Sequence, residues 1–350
     1  MRVLVVDDSA LVRKILKEEL SKYGDIEVVG TASDPYVARD RILIDRPDVL
    51  TLDIEMPRMD GVEFLRRLIP QYPIPVVIVS ALATAQADLT LRALEYGAVD
   101  FVTKPSVRLG VGLAEVIEEL VVKIRTAARV DVSAWADRST RGRPRAASVL
   151  SVSPAALERS TDKLVAIGAS TGGTIALEAI LERLPADTPG IVVVQHMPPV
   201  FTRQFAERLN SIVPMQVKEA EDGDRVLRGR VLIAPGERQT DVVRSGGTYL
   251  VRCRNGEKVN RHRPSVGVLF ASVAQHVGAN AVGVMLTGMG ADGADDMVRM
   301  REAGARTIAQ DETTSVVFGM PREAYARGGA ERLVPLPQIP SEILRLLEAL

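Results

Sequence analysis

The chain has 350 residues, which predicts two domains, and its 46% hydrophobic and 25% charged residues are typical of an ordinary globular protein. Lys+Arg 44 against Asp+Glu 45 leaves a net charge of -1, which excludes a global positive field for nucleic acid or a membrane surface. The only cysteine, Cys253, excludes an internal disulfide, and no signal-like segment or 18-residue apolar run is found, so we expect a cytoplasmic protein without membrane insertion.

Residues 1–125 alternate short apolar strands with helical stretches. The strands are apolar on both faces, as a parallel sheet covered by helices requires. Five such βα units predict an α/β, flavodoxin-like, doubly wound domain. The predicted strands lie in RVLVVDD, IEVVGTAS, DVLTLDI, PVVIVSA and VDFVTKP, and the predicted helices span 10–22, 35–45, 61–71, 85–97 and 112–125.

Residues 126–160 break this alternation, because Ser, Ala and Arg are scattered there without a sustained period. We predict a linker. It contains the only tryptophan, Trp135, which is either a solvated linker residue or an anchor that docks against one of the domains.

A second α/β series occupies residues 161–350 and predicts a Rossmann-like domain with a doubly wound parallel sheet. A β-hairpin is expected over 241–254, with its turn at Ser245-Gly246-Gly247. The predicted strands lie in DKLVAIG, GIVVVQH, RVLIAPG, NAVGVMLTG and RTIAQD, and the predicted helices span 174–184, 201–210, 265–277 and 294–304.

Acidic side chains follow two strands of the first domain: Asp7 and Asp8 after the first, and Asp53 after the third. A doubly wound sheet brings these strand ends to one crevice, where like charges need a cation or a lysine such as Lys104. Oxygen ligands with open positions suit Mg²⁺, and the chemistry indicated is phosphoryl transfer to a carboxylate. Taken singly, Asp7 and Asp8 could instead cap the first helix, and Lys104 could be a solvated loop residue.

The segments VVDDS, LDIEMPRMDG, VSA and FVTKP resemble the signature of response-regulator receiver domains over residues 1–125. The resemblance implies a phospho-acceptor, a Mg²⁺ site, a phosphoryl-binding hydroxyl, a lysine counter-charge and an aromatic switch. These roles fall on Asp53, on Asp7 and Asp8 together with Asp53, on Ser80, on Lys104 and on Phe101, respectively.

In the second domain a G-x-S-x-G pattern, Gly168, Ser170 and Gly172, stands between a predicted strand and a predicted helix. This context is typical of a nucleophile elbow, in which a hydroxyl is exposed at a helix N-terminus. The rival interpretation is a phosphate-binding G-x-G-x-x-G turn, but its middle glycine would be Ser170. No ribose-binding acid follows about 20 residues on, where the strand ends in Gln195-His196.

A nucleophilic serine needs a base, and the chain has three histidines. His196 ends an apolar strand at the sheet edge where α/β active sites form, so it is the favoured base. His262 lies in the polar run NRHRPS, and His276 ends a predicted helix.

The carboxylate that would orient the base is expected in MLTGMGADGADDM. Asp295 and Asp296 fall in the first turn of a helix, where the helix dipole alone explains acids. Asp292 lies in the loop and is favoured, although it could also cap that helix. Gly288, Met289 and Gly290 offer backbone N–H groups for an oxyanion hole. The chain order Ser, His, Asp differs from that of α/β-hydrolases.

Residues 162–348 resemble the chemotaxis-type protein-glutamate methylesterases through GASTGGT, QHMPPVFTRQFAERLN, APG, RHRPSV, LTGMGADGA and FGMPREA. The resemblance implies a catalytic triad of Ser170, His196 and Asp292, with Thr171 beside the nucleophile and the Met289 amide as oxyanion donor. Gly267 departs from the family pattern, since an acidic residue is expected there, which puts the local support of that helix in doubt.

The resemblances imply a phosphorylation-activated esterase acting on glutamate methyl esters of methyl-accepting receptors, with a further glutamine deamidase activity. A sensor histidine kinase is the expected phosphodonor, Mg²⁺ the receiver's cofactor, and no cofactor is expected for ester hydrolysis. A monomer is expected. Two other functions are possible for the second domain. A transcriptional output domain would need a recognition helix and a basic face, and the sequence shows neither. A nucleotide-binding or purely docking module would keep its function without Ser170.

Overall fold

The computed structural model describes residues 1–81, 84–104, 112–132 and 162–350. Trp135 and residues 133–160 of the predicted linker lie outside the described residues. The chain divides into two compact units, Met1–Pro144 (unit 1) and Arg145–Leu350 (unit 2). Among the helices of the described ranges, none is both long and apolar enough to cross a bilayer.

Unit 1 contains a five-stranded parallel sheet in the order β2-β1-β3-β4-β5, as the sequence predicts. The strands are β1 (Arg2–Val6), β2 (Glu27–Ala32), β3 (Val49–Leu52), β4 (Val76–Ser80) and β5 (Asp100–Thr103). The helices are α1 (Ala10–Leu20), α2 (Pro35–Asp45), α3 (Gly61–Leu68), α4 (Thr84–Glu95) and α5 (Leu113–Ala127). Helix α5 therefore continues two residues into the range assigned to the linker.

The strand order of unit 1 creates one crevice. After β2 the chain returns past β1 to form β3 on its other side, so the order reverses between β1 and β3. Loops that leave the carboxyl ends of two such strands diverge and open a ligand-binding crevice. Strands β3 and β4 are buried at every residue, which agrees with their doubly apolar sequences.

Unit 2 contains a seven-stranded parallel sheet in the order β14-β13-β12-β6-β7-β9-β8 and an antiparallel pair, β10-β11. The sheet strands are β6 (Leu164–Ala169), β7 (Ile191–Gln195), β8 (Gln216–Glu219), β9 (Arg230–Ile233), β12 (Ala281–Met285), β13 (Arg306–Gln310) and β14 (Arg332–Val334). Strands β6, β7 and β12 are buried throughout. The order reverses between β6 and β12, which places a second crevice at their carboxyl ends.

Helices cover the sheet of unit 2. They are α6 (Gly173–Leu181), α7 (Phe201–Ile212), α8 (Val266–His276), α9 (Ala294–Glu302), α10 (Met320–Ala326) and α11 (Ile339–Glu348). The predicted helices correspond to α6 to α9. The edge strands β8 and β14 and the helices α10 and α11 are not among the elements predicted from the sequence.

The hairpin consists of β10 (Gln239–Ser245) and β11 (Thr248–Arg254), and Ser245 pairs with Thr248 across the Gly246-Gly247 turn. The predicted hairpin is confirmed. Its first strand packs on α8, where the Val242 amide donates to Ser272 Oγ at 2.9 Å. The hairpin thus buries one side of the helix whose N-terminus faces the second crevice.

Gly168 lets α8 approach β6 closely. A Cβ at Gly168 would lie 2.3 Å from Val266 Cγ1, well inside van der Waals contact. Val266 is the first residue of α8 and is fully buried. The glycine therefore brings the N-terminus of α8 against the carboxyl end of β6.

Candidate functional site

Three carboxylates meet in the crevice of unit 1. Asp7, Asp8 and Asp53 each offer an oxygen, and these oxygens lie within 4.8 Å of one another. Lys104 Nζ donates to Asp53 Oδ2 at 2.7 Å and lies 2.8 Å from Asp7 Oδ2. Asp7 and Asp8 do not cap α1, because its N-cap is Ser9, whose side chain accepts from the Val12 amide. Lys104 is mostly buried and is not a solvated loop residue.

Burial governs the charge state of Asp53. It raises the pKa of Asp53 to about 6, against the opposing effect of Lys104, and the nearby Asp7 adds to the rise. The carboxylates of this cluster repel one another, and an added cation would relieve that repulsion. The all-oxygen donor set, with Asp8 exposed, fits Mg²⁺ with open positions for water or phosphate oxygens. The acidic cluster is typical of a receiver-domain Mg²⁺ site.

Ser80 is the last residue of β4, and Phe101 is the second residue of β5. Ser80 is buried, accepts a hydrogen bond from Thr90 Oγ1 at 3.0 Å and donates to the Ala81 carbonyl at 3.3 Å. Phe101 is buried, and the ammonium of Lys123 lies 5.3 Å from its ring centroid.

In unit 2, Ser170 follows β6 directly and precedes α6. Its amide donates to the Thr287 carbonyl at 3.0 Å, and its own carbonyl accepts from the Gly173 amide at 2.7 Å. Gly172 has a φ of 79°, so the glycine takes the left-handed conformation that the tight turn requires. Gly288 lies against the Ser170 side chain, since a Cβ on Gly288 would be 2.7 Å from Ser170 Cβ.

His196 follows β7, and its ring is fixed by Asp292 from the loop after β12. His196 Nε2 lies 2.9 Å from Asp292 Oδ2. An ionised carboxylate only accepts, so the imidazole proton is assigned to Nε2 and the lone pair to Nδ1. His196 Nδ1 is buried and has no hydrogen-bond partner within the described residues. The His196 amide donates to the Ala169 carbonyl, next to Ser170, at 3.1 Å.

The Asp292 carboxylate is buried and accepts hydrogen bonds from five groups. The donors besides His196 are Asn260 Nδ2 (2.8 Å), Ser265 Oγ (2.7 Å) and the amides of Val266 (2.7 Å) and Gly267 (3.3 Å). Burial alone would raise its pKa, but the hydrogen bonds and charge of His196, with Asn260 and Ser265, lower the pKa of Asp292 to about 2. Asp292 is therefore ionised at neutral pH.

Asp292 does not cap the helix that follows it. The N-cap of α9 is Gly293, which provides no side-chain cap. Asp292 instead bonds the first amides of α8, so the cap interpretation is wrong for α9 and holds in a different form for the neighbouring helix. A negative charge at a helix N-terminus is stabilised by the free amides and the helix dipole.

The positions of the other two histidines differ from that of His196. His262 stacks on His196, with ring centroids 3.7 Å apart and planes within 5°. His276 ends α8, as predicted. His262 thus covers a face of the favoured base.

Gly267 leaves room for an acid supplied by another helix. A Cβ at Gly267 would lie 2.5 Å from Asp296 Oδ2 and 3.3 Å from Asp292 Oδ1. The N-terminus of α8 is supported by Ser265, whose Oγ accepts from the Gly267 amide at 3.1 Å, and by Asp292. Asp296 of α9 thus occupies the space that a side chain at position 267 would need.

Thr171 is buried and Met289 is 42% exposed. The Thr171 carbonyl accepts from Thr287 Oγ1 at 2.9 Å, and Thr287 Oγ1 in turn accepts from the Val317 amide at 2.9 Å. Thr287 thus ties the Ser170 loop to the loop that contains Met289.

Several residues of this site escaped the sequence analysis. Gln195 Nε2 donates to the Ser170 carbonyl at 2.9 Å, so the residue before the base holds the candidate nucleophile's loop. Asn260 and Ser265 hold Asp292, and Thr287 holds the Ser170 loop. Asn260 directly precedes the RHRPSV segment that carries part of the family resemblance, and Ser265 lies within it, but nothing in their spacing indicated these partners.

Fold and sites together define a two-unit α/β response regulator whose second unit has the side chains of a serine hydrolase. Residues 165–343 match the family described as CheB methylesterase, and residues 3–110 match the response regulator receiver domain. The chain belongs to the CheB methylesterase family.

Relatives and a solved structure agree with this assignment. The chain is 56% identical over 347 residues to the protein-glutamate methylesterase/protein-glutamine glutaminase of Syntrophotalea carbinolica, covering 99% of this chain and 98% of the relative. It is 52% identical over 349 residues to the Salmonella typhimurium protein of the same name, covering 100% and 97%. The crystal structure of the Thermotoga maritima CheB methylesterase catalytic domain matches with a TM-score of 0.52 and 40% identity, covering 53% of this chain and 98% of that one.

Asp292→Asn tests the energetics of the buried carboxylate. The native pKa of about 2 lies below the unfolded value of about 3.9, so the stability from this group is present above pH ~4 and is lost as pH falls through ~2. We expect the substitution to lower the free energy of unfolding at pH 7 by about 2–3 kcal/mol, with a smaller difference from wild type below pH ~4. Urea unfolding at several pH values measures this difference.

Asp295→Asn is the matched control, because Asp295 is an exposed acid in the first turn of α9. Its expected effect is within about 0.5 kcal/mol. Unit 1 is the same in the wild type and both variants, so its contribution to the unfolding free energy cancels when the three proteins are compared. Equal stabilities of the two variants would contradict the role given to Asp292.

Proposed function

We propose that the chain is a protein-glutamate methylesterase and protein-glutamine glutaminase in which Ser170 is the nucleophile, His196 the general base and Asp292 the carboxylate that orients the base. The observation that carries the proposal is the 2.9 Å bond between His196 Nε2 and Asp292 Oδ2. It leaves the Nδ1 lone pair unused, and the His196 backbone is bonded to Ala169, the residue before Ser170. A hydroxyl and an imidazole so placed are the parts of an acyl-transfer site.

The reaction balances as an acyl transfer in two steps. Ser170 Oγ bonds to the γ-carbonyl carbon of a glutamate methyl ester while His196 Nδ1 takes the hydroxyl proton. The carbon–methoxy bond then breaks, and the proton passes to the leaving methanol. Water, deprotonated by the same nitrogen, attacks the acyl carbon; the bond from that carbon to Ser170 Oγ then breaks, and Oγ regains the proton from His196 Nδ1 as the glutamate carboxyl group is released. A glutamine side chain follows the same course with ammonia as the leaving group.

Two charges develop during this reaction, a positive one on His196 and a negative one on the oxyanion, and each is proposed to be stabilised by neighbouring groups. Asp292 is ionised and faces His196 Nε2, so it stabilises the imidazolium that forms. The backbone amides of Met289 and Thr171 are proposed to receive the oxyanion. The contact between Gly288 and the Ser170 side chain supports this role for the adjacent Met289.

The receiver unit is proposed to control this activity through phosphorylation of Asp53. Asp7, Asp8 and Asp53 would hold Mg²⁺, which supplies positive charge to phosphoryl oxygens when bound. Lys104, already 2.7 Å from Asp53 Oδ2, would pair with the phosphoryl group, and Ser80 would contact it. The proposed phosphodonor is a sensor histidine kinase, and the proposed substrate is the cytoplasmic segment of a methyl-accepting receptor. Hydrolysis itself is proposed to need no cofactor.

Ser170→Ala tests the nucleophile. We expect methanol release from methylated receptor membranes to fall by at least about a thousandfold, because no covalent intermediate forms. A fluorophosphonate probe should label the wild-type chain at residue 170 and leave the variant unlabelled. Ser211→Ala, at the exposed end of α7, is the control and should keep both activities. Substantial turnover by the alanine variant would refute the assignment, as would labelling at another residue.

Asp53→Asn tests the control by phosphorylation. A small phosphodonor with Mg²⁺ should raise the methanol-release rate of the wild-type chain and leave the rate of the variant unchanged. The unstimulated rates should be similar, since Asp53 lies in a separate unit from Ser170. Equal stimulation of both chains would show that Asp53 is not the phospho-acceptor.

His262 is tested by comparing two substitutions. His262→Ala removes the ring stacked on His196, and a stacked ring pair contributes about 0.5–1.5 kcal/mol, so we expect kcat to fall roughly 2- to 10-fold. His262→Phe keeps a flat ring and should retain most of the activity. If the phenylalanine variant were as impaired as a Ser170→Ala chain, His262 would take part in proton transfer and the choice of base would be wrong.

A further inference from the structure

Two loops of unit 2 converge beside the His196–Asp292 pair. The first joins β9 to β10, and its Gly236 packs on the Pro198-Pro199 segment that follows His196. A Cβ on Gly236 would lie 2.2 Å from Pro199 N. The second loop, residues 257–262, ends in the turn that holds Asn260 on Asp292 and His262 on His196.

Gln239 fastens these two loops together. Its Nε2 donates to the carbonyls of Glu257 at 2.9 Å and His262 at 3.1 Å, and its Oε1 accepts from the Ser265 amide at 2.9 Å. Gln239 itself is buried. Residues that neighbour these anchored positions are therefore held at fixed places on the rim of the crevice.

Three cations occupy this rim: Arg238 on the first loop and Lys258 and Arg261 on the second. All three are exposed, and none takes part in the salt bridges of the described residues. Two exposed acids adjoin them in sequence: Glu257 beside Lys258, and Glu237 beside Arg238, but Glu237 is already paired with Arg263. The three positive charges thus exceed the local unpaired negative charge.

The turn itself holds one cation in a constrained position. Val259 and His262 exchange backbone hydrogen bonds of 3.0 and 2.8 Å, and both central residues are left-handed, Asn260 at a φ of 51° and Arg261 at 69°. Glycine is the usual second residue in such a turn, whereas here the position carries a guanidinium. Arg261 stands between the residue that bonds Asp292 and the residue that stacks on His196.

The proposed reaction defines what these cations would meet. Each demethylation or deamidation converts a neutral side chain into a carboxylate, so a substrate segment with several sites becomes more anionic as it is processed. Carboxylates three or four residues apart on a helix lie on one face, about 5–6 Å from each other. Such groups would lie beside the crevice while their neighbour is at Ser170.

We propose that Arg238, Lys258 and Arg261 bind the free glutamate carboxylates that flank the reacting ester on the same substrate segment, and that they thereby set the enzyme's preference for segments already carrying free carboxylates. This inference rests on the proposed function. Guanidinium and ammonium groups at an exposed rim pair with carboxylates and act mainly on substrate binding, with little effect on the chemical step.

The test compares the variant R238Q/K258Q/R261Q with wild type on a soluble methylated receptor fragment whose flanking residues are either glutamate or alanine. On the glutamate fragment the variant should show a KM raised roughly tenfold with kcat nearly unchanged, as for three exposed ion pairs. On the alanine fragment the two enzymes should agree within about twofold. On the glutamate fragment, the KM of the wild type should also rise more steeply with salt concentration than the KM of the variant does.

Arg244→Gln is the matched control. Arg244 is exposed and lies near the far end of β10, six residues after Arg238, about 20 Å away at the rise of an extended strand. This substitution should leave KM and kcat unchanged on both fragments. If the KM of the triple variant rises equally on both fragments, or rises on neither, the proposal is overturned.

Two further measurements distinguish a defect at the rim from a defect in the catalytic residues and from loss of a lipid-binding surface. Fluorophosphonate labelling of Ser170 should proceed at the same rate in wild type and triple variant. Failure of the wild type to be labelled would refute the proposed function itself, whereas normal labelling with unchanged KM would refute only the rim. If the variant instead loses binding to phosphatidylglycerol vesicles while its KM on the soluble fragment is unchanged, the rim serves a lipid surface and the carboxylate proposal is wrong.

Discussion

The buried carboxylate of Asp292 is the interaction on which unit 2's crevice depends. A charge without partners would not remain ionised in such a place. Here donors from the end of β7, the turn at residues 259–262 and the N-terminus of α8 all converge on it. The end of β7, the stretch from the turn to α8 and the loop of Asp292 are far apart in sequence, so one acceptor fixes their mutual arrangement. The orientation of His196 follows from it.

The same acceptor determines which imidazole nitrogen is available. Because Asp292 Oδ2 occupies the Nε2 side of His196, any proton that the ring accepts must enter at Nδ1. Stacking by His262 restricts the ring from a face, and Gln195 restrains the adjacent Ser170 carbonyl. The proposed base is therefore restrained from several directions, as precise proton transfer requires.

The sequence predicted the parts of the fold and site that follow local rules. Doubly apolar strands identified both parallel sheets, and polar residues directly after strands identified Asp53, Ser170 and His196, because strand ends in such sheets meet at a crevice. Short edge strands such as β8 and β14 were missed, since four or three residues carry little periodicity. Partners such as Asn260 depend on long-range packing, which no spacing rule encodes.

The two units use the same construction for different chemistry. In each, the strand order reverses beside the first strand of the sheet, between β1 and β3 in unit 1 and between β6 and β12 in unit 2. Unit 1 fills its crevice with carboxylates and a lysine, whereas unit 2 has a hydroxyl, an imidazole and a single ionised carboxylate. Fold therefore locates both sites, and side-chain chemistry alone distinguishes them.

Asp292 and Asp296 show how the environment separates two neighbouring acids. Both lie near the N-terminus of α8, where the missing side chain of Gly267 leaves space. Burial raises the pKa of Asp296, Arg299 opposes the rise and the charge of Asp292 adds to it, whereas the donors around Asp292 hold its pKa at about 2. As pH falls, Asp296 must take up a proton before Asp292 does. Asp292, which faces His196, thus stays charged, and the repulsion between the two carboxylates is relieved by protonation of Asp296.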